Sequence, residues 1–221
     1  MKLSILASAA LLICGMAFYA PTVGQTNRGP DSPVLDVSIQ GKNIALLLSK
    51  FAYERNIPIG FEVASNDDLL ADGSVNVQIA RGTVRDVLDA IVAQKPIYTW
   101  RVEDNVINVF PKEANRDHLL KAVLETTIKD YSIARNTNHF TFRESIIKLP
   151  EVQRILEINQ IKSGNELLSP LDRASLGRDF SLRMSNATLK SLLNRVIRDS
   201  KARYWIVNRF GDDREYLLLN L

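Results

Sequence analysis

One unit, written twice, limits what this chain can fold into. Val75, Val77 and Ile79 alternate with polar residues, the period-2 mark of a half-buried strand. Gly82-Thr83 interrupts the run, and Thr83 with Asp86 three residues on reads as a helix N-cap with a capping box. Val84, Val87, Leu88, Ile91 and Val92 then share one helical stripe. Pro96 closes the helix, and Tyr98, Trp100 and Val102 restore alternation in a second strand. At an offset of 105 residues the register returns, with Thr188 on Thr83 and Phe180, Leu182 and Met184 as the first strand. Leu189, Leu192, Leu193, Val196 and Ile197 repeat the stripe, and Trp205 and Val207 fall on Trp100 and Val102 without a gap. Few identities survive, so the pattern predicts a divergent duplication. The fold class is α+β: two small modules in tandem, each with helices packed against small sheets.

The N-terminus says where such a chain would work. Met1-Lys2 followed by the apolar run Leu3 to Ala20 is a signal-peptide pattern, which we read as residues 1–25 with cleavage near Gly24. The alternative is a retained anchor, since a run of about 18 residues just spans a bilayer. Ser4, Ser8 and Gly15 dilute the run and favour cleavage. Cys14 is the sole cysteine, and Ile13 before it is too large for a lipoprotein box. The mature chain therefore has no thiol, which excludes thiol catalysis, cysteine metal sites and a disulfide scaffold. Export predicts a periplasmic location, with no stable membrane insertion after signal removal.

Residues 26–33 read as a Gly/Pro linker, and 34–112 as the first module. Leu35, Val37 and Ile39 alternate as a strand, Asn43 caps a helix with Ile44, Leu47, Leu48 and Phe51 on its stripe, and Ile59, Phe61 and Val63 form the next strand. After the repeated unit, Glu103-Asp104-Asn105 turns into Val106, Ile107 and Val109, ending at Pro111. The order is β-α-β-β-α-β-β. The passages I-x-x-L-L-x-x-F-A-x-x-x-x-I-P-I, V-x-V-x-I-x-x-G-T-V-x-D-V-L-D-A-I and Y-T-W-R-V-E-D-N-V-I-N-V resemble the secretin and TonB N-terminus short domain over Val34 to Pro111. That resemblance implies two helices between small sheets and no catalytic residue. It also implies docking to an envelope protein: an inner-membrane regulator or a component of a secretion machine. Both parent families continue into a barrel or ring, and none fits before Leu221.

Residues 113–221 form the divergent second module. A charged hinge, Glu113 to His118, leads into Ala122 to Ile133, read as one β-branched strand. Phe142 to Leu149 reads as a helix, Pro150 opens another, residues 162–178 read as a loop, and Tyr216 to Leu219 are the last strand. This half carries eighteen basic and fourteen acidic side chains, against nine and eleven over 26–112, so the positive charge lies in the second module.

Few residues could carry chemistry. His118 and His139 have no partner at metal-ligand spacing and read as exposed. Asp67-Asp68 and Asp72-Gly73 lack the alternating donors of a calcium loop and read as a solvated turn. No nucleophile elbow, phosphate loop or dinucleotide fingerprint is present, so no enzyme and no cofactor is expected. The basic cluster Arg195, Arg198, Lys201 and Arg203, with Arg209 beyond it, reads first as a solvated face and next as a surface for an acidic partner, which makes it the candidate partner-binding surface. The small net charge and the exported location speak against nucleic acid. The function expected is a non-catalytic periplasmic interaction module in secretion or envelope signalling, with self-association open. The alternative is a solute- or polymer-binding protein using the cleft between the modules.

Overall fold

The computed structural model describes residues 28–64, 74–163, 176–210 and 216–221. The leader with Cys14, the Asp67 to Asp72 carboxylates and most of the 162–178 segment lie outside them. In the first half, β1 (Pro33–Gly41) pairs antiparallel with β3 (Val75–Thr83), joined through α1 (Ile44–Arg55) and β2 (Ile59–Glu62). Then come α2 (Val84–Gln94), β4 (Tyr98–Glu103) and β5 (Val106–Pro111), with β5 antiparallel to β4 and parallel to β2. Asp104 and Asn105 both take positive φ, 54° and 59°, giving the two-residue hairpin whose twist suits paired strands.

The second half repeats this plan. Its elements are α3 (His118–Glu125), β6 (Thr127–Ile133), α4 (His139–Ile147), α5 (Pro150–Ile158), β7 (Lys162–Ser163) and β8 (Leu182–Thr188). They are followed by α6 (Leu189–Asp199), β9 (Tyr204–Phe210) and β10 (Tyr216–Asn220). β6 pairs with β8 as β1 does with β3, and the order β9-β10-β7 repeats β4-β5-β2. The mixed α+β architecture agrees with the sequence pattern. The stretch Ala122 to Ile133 does not form one strand. Asp117 accepts the N–H groups of Leu119 and Leu120, so a helix starts inside the charged hinge and buries Leu119, Leu120, Val123 and Leu124 before β6 begins.

A single parallel pairing, β2 with β9, joins the halves into one six-stranded sheet, β4-β5-β2-β9-β10-β7. Strand alternation decides which face each half fills. Phe61 is level with Val109 and Ile206, and Val109 with Trp100, so all four share one face. Gly60 is level with Trp205 and Asn108, on the opposite face. The first core, built on Ile59, Phe61, Val109, Leu48 and Leu88, therefore lies on one side of the sheet. The second, built on Trp205, Val207, Leu217, Leu192 and Phe142, lies on the other. Each fully buried apolar side chain in them contributes about 1.5–3 kcal/mol. At the junction both faces are covered, with Tyr204 and Ile206 packed against the first core and α6 crossing β2 and β5.

Candidate functional site

The junction shows how this fold receives a strand. The Ile59 N–H donates to the Arg203 carbonyl at 2.9 Å and the Val63 N–H to the Val207 carbonyl at 3.1 Å. Trp205 is 1% exposed and lies on Gly60: a Cβ there would meet the indole at 2.3 Å, so only glycine fits. The indole is fixed from α6, its Nε1–H donating to Asn194 Oδ1 at 2.8 Å. Around it, Ser191 Oγ donates to the Asp104 carboxylate at 2.9 Å, Arg198 to the Asp104 carbonyl at 3.0 Å, and Lys190 pairs with Glu103 at 2.7 Å. Glu62 is buried on β2 and forms a two-pronged pair with Arg116, at 2.7 and 2.8 Å. Burial pushes the Glu62 carboxyl above its ordinary pKa, against the pull of that guanidinium.

The matching strand of the first half is β4, and it has no such neighbour. Among the described residues it pairs only with β5, leaving its outer edge at the end of the sheet. Ile97 accepts from the Lys112 N–H, so alternation turns the N–H and C=O of Trp100 and Val102 outward. At the offset of 105 residues these positions are Trp205 and Val207, the same parity that β9 offers to β2. The Trp100 Nε1–H donates to Asp89 Oδ1 at 2.8 Å, and Asp89 is the counterpart of Asn194. The two indoles are held alike, but Trp205 is fully buried, whereas Trp100, packed against the first core, is only half-buried. Val102 is 44% exposed, Arg85 stands 5.2 Å above the Trp100 ring, and Arg101 stacks 4.8 Å from Phe110 on the other face. This is an aromatic edge flanked by cations.

The predicted basic cluster is dispersed. Arg203 is not on the surface: it is 5% exposed and donates to the carbonyls of Ser200 and Ala202 at 2.5 and 2.7 Å, and to the Asn56 side chain. It ties the end of α6 to the end of α1, because a buried guanidinium needs its donors satisfied. Arg198 is also structural, shared between Asp199 and the Asp104 carbonyl across the junction. Arg195 pairs with Asp199, and Arg195 and Lys201 line a groove with Leu176, Phe180 and Asp199. Arg209 pairs with Asp117 at 3.1 Å. His118 is exposed, but His139 is buried, 3% exposed, at the start of α4, where Asn138 caps the helix. At the junction of the modules Trp205 and Glu62 are buried, and Arg116 pairs with Glu62.

Among the described residues no group of His, Cys, Asp or Glu is arranged to hold a metal ion, and no helix is long and apolar enough to cross a membrane. No family model, curated protein or solved structure matches the chain. The edge residues Arg85, Trp100, Arg101 and Val102 were not singled out as a site from sequence. The signal was there in the pairing of Trp100 with Trp205, but that pairing alone reads as two core tryptophans. Only strand order tells them apart.

Proposed function

We propose that this protein is a non-catalytic docking module of the periplasm, comparable to the short N-terminal domain of secretins and TonB-dependent transducers, and that it binds an envelope protein. The partner class is an inner-membrane regulator or a secretion-machine component. One observation carries the reading: among the described residues β4 ends the sheet with outward backbone groups and a half-buried Trp100, in the arrangement that β9 uses to hold β2. Strand addition at such an edge supplies main-chain hydrogen bonds for affinity and leaves specificity to alternate side chains. Edges of this kind are otherwise shortened, charged or covered to prevent aggregation. Arg85 and Arg101 give this edge both solubility and a charge preference.

The test is a photo-reactive residue placed at Val102, compared with one at Leu46, which is 66% exposed on α1. In cells, Val102 should yield a single dominant adduct with an envelope protein, and Leu46 should not. Adducts from Leu46 alone, or none from either position, would count against docking at β4.

A further inference from the structure

The docking reading leaves the form of the bound segment open, and the following rests on that reading. We infer that the outer edge of β4 takes a parallel, extended segment of a partner protein with glycine opposite Trp100 and a carboxylate on the next residue, opposite Arg101. The internal β2–β9 pair supplies the template. Gly60 opposes Trp205, and Phe61 opposes Ile206. Carried to β4 at the same offset, these partners become positions opposite Trp100 and Arg101.

The glycine requirement follows from the indoles. Each is fixed by one hydrogen bond of 2.8 Å from the matching helix position, so Trp100 presents the same ring to an incoming strand as Trp205 does. At Trp205 a Cβ on the opposing residue would fall 2.3 Å from the ring, well inside contact distance. A bulkier residue opposite Trp100 meets the same wall. The carboxylate preference follows from charge. The Arg101 side chain is 55% exposed and held by Glu103 from its own strand at 2.6 Å, and Arg85 is 48% exposed in a pair with Asp31. Exposed pairs of this kind are worth about 0–1 kcal/mol, so an incoming acid level with Arg101 displaces Glu103 cheaply.

A second copy of the chain fits less well. Its β2 edge is already taken by β9, and β7, at the far end of the sheet, presents Lys162-Ser163, neither a glycine nor an acid. A lysine there would add a third cation to an edge that already carries Arg85 and Arg101. The occupant is therefore a different protein.

The experiment uses a fluorescent peptide with the sequence of residues 57–64 carrying Phe61→Asp, and a second peptide that also carries Gly60→Ala, titrated against the chain from which the leader has been removed. The first should saturate, and the second should bind about tenfold or more weakly, a loss of about 1.4 kcal/mol or more. The Trp100→Ala chain should bind both peptides alike, because the wall is gone. The Arg101→Glu chain should reverse the charge preference and favour a Phe61→Lys peptide. Equal binding of both peptides to the native chain, indifference to Trp100→Ala and Arg101→Glu, or no saturable binding up to about 1 mM would overturn the inference. Mass that rises with concentration and is reversed by the peptide would assign the edge to a second copy and overturn the partner assignment. The peptide result stands apart from the photo-adduct: an adduct at Val102 without glycine preference defeats only this inference, and no adduct defeats the docking reading.

Discussion

At the scale of residues, the junction depends on two groups that tolerate little change. Gly60 lies under Trp205, so Gly60→Ala forces ring and strand apart and should cost about 1–3 kcal/mol, as overpacking does. The urea midpoint measures it, and Trp205→Leu in the same chain should recover part of the loss relative to the two single changes. Glu62 and Arg116 form a buried pair, but Arg116 also meets Glu125 at 3.4 Å and Glu113 at 4.0 Å, so losing Glu62 leaves it partly compensated. Glu62→Ala should therefore cost less than the roughly 3–5 kcal/mol of a fully stranded buried charge. If the unfolding midpoint barely moves, water reaches Arg116 and the pair is not sealed. Tyr131 offers a pH test: burial pushes its phenol up to about 12, opposed by its hydrogen bond to Ser145. A phenol whose folded pKa is raised lends stability that is complete below its unfolded value near 10 and is lost as pH rises toward 12. Tyr131→Phe should flatten that alkaline loss in unfolding curves followed by circular dichroism.

At the scale of elements, the repeated strand-to-helix corner differs in one respect between the halves. Thr83 and Asp86 cap each other reciprocally, the Thr83 N–H donating to Asp86 Oδ2 at 2.7 Å, and the cap holds the Asp86 carboxyl below its usual pKa. Thr188 has only the single bond from the Ser191 N–H, at 3.1 Å. Substituting an N-cap by alanine costs about 0.5–2 kcal/mol. Thr83→Ala should fall in the upper part of that range and Thr188→Ala in the lower, measured as the difference between their unfolding free energies. A larger loss for Thr188→Ala would show that packing under α6, not capping, sets the corner. These corners were legible from sequence because the Thr cap and the apolar stripe, with Gly82 at the first corner, are local signals. The α3 helix was not, because its cap sits in a charged stretch that reads as a hinge.

At the scale of the whole molecule, two cores on opposite faces of one sheet make each half the cover of the other. A chain ending at Lys112 keeps the first core but uncovers Gly60 and Glu62 and bares the edge of β2. It should show helix and strand content by circular dichroism, melt below the full chain, and associate through that edge in sedimentation. A monomeric fragment as stable as the full chain would mean that the junction contributes little.

The sequence by itself determined the elements of the first half, their order and the duplicated register, since strand and helix periods, caps and turns are read over a few neighbouring residues. It also marked Trp100 and Trp205 as counterparts. Only the tertiary structure decided that Trp205 is fully buried and Trp100 only half-buried. That difference comes from the pairing of β2 with β9, a contact between residues more than a hundred positions apart, and no local pattern encodes which edge of a sheet is filled. The same long-range contact buried Arg203 and clamped Arg198, which in sequence look like surface cations. A guanidinium is placed by the carbonyls and carboxylates that surround it, and those arrive from other parts of the chain.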